Sequence, residues 1–95
     1  MDEYDWLMEV IDREIDLNDC KKFDKGATRR LIYLEEIKKF FQDRINWASV
    51  NEIFEVLNER YKEYEEGCPK GSNAQIMFRE MQNTIQAVSM KYWSS

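Results

Sequence analysis

The sequence predicts an all-α fold, a compact antiparallel four-helix bundle with up-down-up-down connections, and three observations predict it. Only 3 glycines and 1 proline punctuate 95 residues, too few turn-formers for an all-β domain. Four segments carry apolar residues at the three- and four-residue spacing of an amphipathic helix. Two capping boxes, Ser49 to Glu52 and Ser72 to Gln75, mark helix starts. Short connections between successive helices favour antiparallel neighbours. Residues 1–95 read as one helical domain, with helices at about 2–17, 27–45, 49–66 and 72–93.

In the first helix Tyr4, Leu7, Met8, Ile11 and Ile15 form the core stripe, and Trp6, Val10 and Leu17 form a second one. The apolar arc is therefore unusually broad. In the second helix Leu31, Leu34, Ile37, Phe41 and Ile45 point inward, flanked by Tyr33 and Phe40. The third follows helical periodicity through Val50, Ile53, Phe54, Leu57, Tyr61 and Tyr64. Gly67 then suits the position just past a helix end, and Pro69 prevents continuation. In the fourth, Ala74, Phe78, Met81, Ile85, Val88 and Tyr92 make a heptad-like seam suited to shallow crossing angles.

Charge is the second theme. The chain is 35% charged, with a net charge of −5 and a pI near 4.8. Acids outnumber bases in residues 1–19 and 45–66, and bases outnumber acids in 20–44 and 67–95. Alternation of this kind lets antiparallel neighbours attract, but it does not account for two ridges of like charge. Asp5, Glu9, Asp12 and Asp16 stack on one face of the first helix, and Glu52, Glu55, Glu59, Glu63 and Glu66 on one face of the third. Such stacking costs a helix a few tenths of a kcal/mol per pair. Carboxylates at the C-terminal end of the third helix also oppose its dipole. Folding alone does not favour either choice.

Much chemistry is excluded. With no histidine, His-based triads, Glu-x-x-His di-iron sites and imidazole zinc sites are absent. Two cysteines, Cys20 and Cys68, cannot furnish a four-ligand zinc site in one chain. The alternating acids from Asp12 onward fail as a calcium loop, because Leu17 and Phe23 occupy the places of the required glycine and bidentate glutamate. There is no glycine-rich phosphate loop, and a solvated ridge of carboxylates does not separate their pKa values for acid–base work. We expect no enzyme, no metal and no cofactor. No apolar run approaches a membrane span and the N-terminus is acidic, so the expected location is cytoplasmic, without membrane contact.

Bases gather in Lys21, Lys22, Lys25, Arg29, Arg30, Lys38, Lys39 and Arg44. A helix-turn-helix reader would, however, use the third helix, whose acidic face repels phosphate, so direct nucleic-acid binding is not expected. The fourth helix has a charge-poor stripe, Ile76, Asn83, Ala87 and Met90, that suits a homodimer face as well as it suits plain solvent. Up-down-up-down topology collects Trp6, Trp47 and Trp93 at one end, as a plug for the bundle or, with Val10, as an apolar anchor patch.

Two functional readings stand. In the first, the protein is an inhibitor or regulator that docks its acidic helix faces onto a basic, nucleic-acid-binding surface of a protein partner. In size and charge the chain resembles the accessory inhibitors encoded by phages and mobile elements, anti-CRISPR proteins among them. In the second, it is a structural or adaptor bundle, homodimeric or not, that holds a partner through tryptophan and apolar patches.

Overall fold

Each helix starts on a short polar side chain that accepts a backbone N–H from its first turn, satisfying a donor the helix itself leaves free. Asp2 accepts from Asp5 N at 2.8 Å, Asp24 from Gly26 N at 2.8 Å, Ser49 from Glu52 N and Ser72 from Gln75 N at 3.2 Å. These caps set the starts of α1 (Glu3–Asp19), α2 (Lys25–Arg44), α3 (Val50–Glu66) and α4 (Asn73–Trp93). The computed structural model describes residues 2–21 and 24–94, so Lys22 of the basic cluster and Phe23 lie outside the described residues. Against expectation, α1 runs two residues past Leu17, and α2 opens two residues before Ala27 because its Asp24 cap escaped the sequence pattern. Ser49 and Ser72 precede their helices as caps and are not their first residues.

The turn from α3 to α4 corrects a second expectation. Gly67 caps α3 with ordinary right-handed dihedrals, φ −80° and ψ −7°. The left-handed reversal falls instead at Gly71, φ 79°. There the Gln75 carboxamide reaches back to accept Gly71 N at 2.6 Å, one residue ahead of the usual capping-box partner. A Cβ at Gly71 would meet nothing, so the strain of Gly71→Ala is purely in the backbone. We expect it to lower stability by about 1 kcal/mol. A Cβ at Gly67 meets two backbone oxygens at ordinary contact, 3.5 and 3.7 Å. Gly67→Ala should therefore be neutral or stabilising by up to about 1 kcal/mol. Denaturant titration of both variants checks the assignment, and equal losses would refute it.

The four helices form a bundle, and among the described residues there is no strand. One core cluster joins Leu7, Val10 and Ile11 of α1 to Tyr33, Leu34, Ile37 and Phe41 of α2. It continues through Val50, Ile53, Phe54 and Leu57 of α3 and Met81, Ile85, Val88 and Tyr92 of α4. Phe41 meets Phe54 edge-on, ring centroids 4.8 Å apart, which ties α2 to α3 near the α2–α3 turn. The packing is not square. α3 lies closely along α4 and α1 along α2, while α2 also touches α4 across the bundle and meets α3 only loosely. The α2–α3 seam is filled by Phe40, with the Arg44 guanidinium 3.6 Å and that of Arg60 5.0 Å from its ring centroid. α1 and α3 therefore stand at opposite corners. Among the described residues no helix is long and apolar enough to cross a membrane.

Candidate protein-docking surface

The two acidic ridges have different fates. On α1, Arg13 holds Glu9 at 2.6 Å and Lys38 of α2 holds Asp12 at 2.7 Å. The neighbouring Glu14 is paired with Lys91 of α4. Of the ridge acids Glu9 is paired one turn along α1 itself and Asp12 across the seam to α2, and only Asp5 and Asp16 remain exposed without an ion pair among the described residues. On α3, Glu52, Glu55, Glu59, Glu63 and Glu66 are all exposed, and no ion pair among the described residues involves any of them. The acid that α3 does use internally is Glu65, off the ridge, bound by Arg79 at 3.2 Å and Gln82 at 2.7 Å. Since α1 and α3 occupy opposite corners, the two ridges do not merge into one surface.

The α3 ridge has an apolar shoulder that the sequence reading missed. Val56 is 49% exposed and Tyr64 46%. With Glu55, Glu59, Arg60 and Glu63 they line an open groove of about 480 Å³ along the helix. Val56 breaks the core periodicity, which was the available signal. Tyr64 obeys that periodicity but only edges onto Phe78 and Tyr61, at centroid distances of 5.4 and 5.5 Å, and leaves its outer side bare. Arg60, the one base in the groove, has its guanidinium over Phe40 and makes no ion pair with the ridge.

The tryptophans do not all plug the bundle. Trp6 is half-buried, its Nε1 donating to the Tyr92 carbonyl at 3.1 Å, with Arg13 stacked over the ring. Trp47 is 81% exposed in the α2–α3 turn and Trp93 58% exposed at the end of α4. Val10, expected as part of this outer patch, is 4% exposed and belongs to the core, because α1 presents that side to α4.

The α4 stripe also differs from its expected character. Ile76, Asn83, Ala87 and Met90 are exposed. However, Asn83 and Ala87 line a cleft of about 300 Å³ shared with Glu14, Arg29 and Arg30, so the surroundings of the stripe are charged. Arg29 pairs with Glu80 at 3.0 Å, and Arg30 donates to the buried Asn18 at 2.8 Å. Beneath them Tyr33 donates to Glu80 at 3.0 Å. Burial and that carboxylate push its phenol up from 10.0 to about 12.

A raised pKa means the fold holds a proton that the unfolded chain releases. The stability it contributes is present below pH 10 and is lost as pH rises toward about 12. Tyr33→Phe should flatten the decline of unfolding free energy across that window by about 1.4 kcal/mol per pH unit, one proton's worth. Denaturant titrations at several alkaline pH values measure the slope, and identical slopes would refute the Tyr33–Glu80 contact.

Cys20 is exposed and free, and Cys68 donates its thiol to the Tyr64 carbonyl at 3.2 Å. Among the described residues no group of acids and thiols is arranged to hold a metal ion. No protein-family model, no curated protein and no solved structure matches the chain.

Proposed function

We propose that this is a non-enzymatic inhibitor or regulator acting in the cytosol, of the accessory kind that phages and mobile elements encode. It docks the acidic outer face of α3 onto a basic, nucleic-acid-binding surface of a partner protein. The observation that carries this is the contrast between the ridges: α1 uses Glu9 and Asp12 in ion pairs, whereas no glutamate of the α3 ridge forms one among the described residues. Five carboxylates a helical turn apart lie about 5–6 Å from one another, near the spacing of phosphates along a strand. A field of one sign steers a basic partner onto it rapidly and with strong salt dependence.

The exposure of Trp47 and Trp93 favours one second reading, an adaptor that inserts indoles into a partner's apolar pockets. One experiment separates the two. Partners are captured from the native host at low and high salt, and their affinity is measured for charge-reversed α3 and for Trp47→Ala with Trp93→Ala. Binding that falls steeply with salt and with charge reversal supports the acidic-face reading. Salt-tolerant binding lost with the tryptophans overturns it in favour of the adaptor.

A further inference from the structure

The groove on α3 narrows the class of partner element that fits the acidic face, and this inference rests on reading α3 as the docking face. Its apolar part is Val56 and the outer side of Tyr64, and its charged part is Glu55, Glu59 and Glu63 with one base, Arg60, whose guanidinium lies over the Phe40 ring. We propose that its occupant is a basic amphipathic α-helix of the partner, laid along α3. Its lysine or arginine row would lie over the three glutamates and an adjoining apolar row against Val56 and Tyr64.

A helix fits this face for three physical reasons. First, α3 has its backbone groups bonded within the helix and offers no edge, so a docked strand would leave its own N–H and C=O groups unpaired on that side. A helix satisfies its backbone internally and meets α3 through side chains alone, as two helices pack side by side. Second, the ridge repeats every three or four residues, and side chains on an opposing helix repeat at the same interval of about 5–6 Å. From Glu52 to Glu66 the face is about 21 Å long, which matches an occupant of about four turns. Third, charge complementarity rejects the other occupants. Nucleic acid is repelled, and a second α3 would set glutamates against glutamates. The basic helix of a second copy has committed Arg29 to Glu80 and Lys38 to Asp12, which leaves only Lys25 and Lys39 exposed without a partner among the described residues, toward its two ends and too few for a row over three glutamates.

The test uses two synthetic peptides of about 16 residues, identical in composition. One has lysines every three or four residues beside a leucine row. The other carries D-residues at three internal positions, so that it cannot form a helix. Titration calorimetry against the whole protein should show the helical peptide binding at least about tenfold more tightly, with NMR shifts at the Val56 methyls. Val56→Ser should weaken the helical peptide several-fold and leave the disordered one unchanged, whereas Glu59→Lys should weaken both. Val56 is exposed, so its replacement leaves the fold intact. Equal binding of the two peptides, or indifference to Val56→Ser, overturns the helical occupant while the acidic docking face stands. Binding of neither peptide overturns both.

Discussion

Reversal of Glu55, Glu59 and Glu63 to lysine is expected to weaken partner binding at least about a hundredfold. Each change converts an attraction into a like-charge contact, worth about 1 kcal/mol or more, and three together exceed the two decades of about 2.8 kcal/mol. The loss should be largest at low salt, because the field is screened over about 8–10 Å under physiological conditions. Folding should not suffer. These glutamates form no ion pair among the described residues, and Glu63→Lys relieves charge that opposes the C-terminal dipole of α3, so α3 gains a few tenths of a kcal/mol. The matched triple on α1, Asp5, Glu9 and Asp12 to lysine, has the opposite signature. It breaks the pairs with Arg13 and Lys38, sets Lys38 against a new lysine, and should cost about 1 kcal/mol of stability with little loss of affinity. Calorimetric affinity with parallel thermal melts gives both readouts. Unchanged affinity in the α3 triple would reduce the ridge to a solvated helix face.

Truncation of the core carries the largest expected stability effect. Leu57→Ala and Ile85→Ala each remove a side chain that is fully buried at the centre of the cluster joining all four helices. The expected cost is about 2–5 kcal/mol, lost transfer free energy plus the cavity left behind. Against a typical total of about 5–15 kcal/mol, the melting temperature should fall by about 4–8 °C for each kcal/mol lost. Val56→Ala, one residue away from Leu57 on the exposed shoulder, is the control and should change stability by less than about 0.5 kcal/mol. Urea titration of the three variants distinguishes the faces of α3. Equal effects at 56 and 57 would mean that the helix is rotated from the orientation described.

These predictions draw on information of two kinds. Where each helix lies was legible in the chain, because periodicity and caps act between residues three or four apart. The Ser49 and Ser72 caps accept the very N–H groups that their spacing suggested. The inward rows of α2 and α3 from Leu34 to Phe41 and from Val50 to Leu57 are likewise buried. Gly67 and Gly71 show the boundary of that legibility. Both glycines sit in one loop, and only the path of the chain into α4 decides which of them takes the left-handed reversal.

The candidate site divides along the same line. By itself the sequence determined that α1 and α3 each carry a row of carboxylates and that no histidine-based chemistry is available. Arg13 stands one turn from Glu9 in the chain, but only the tertiary structure brought counter-charges from other helices to α1 and, among the described residues, none to the α3 row. The partners of the α1 acids that cross between helices, Lys38 for Asp12 and Lys91 for Glu14, stand 26 and 77 residues away along the chain. The same holds for Val10, drawn into the core beside α4, and for Trp47, which stays in solvent while Ile45 and Ala48 of the same turn pack against the core. A helix face is encoded within one or two turns of chain, but its burial and its counter-charges come from whichever helix packs against it.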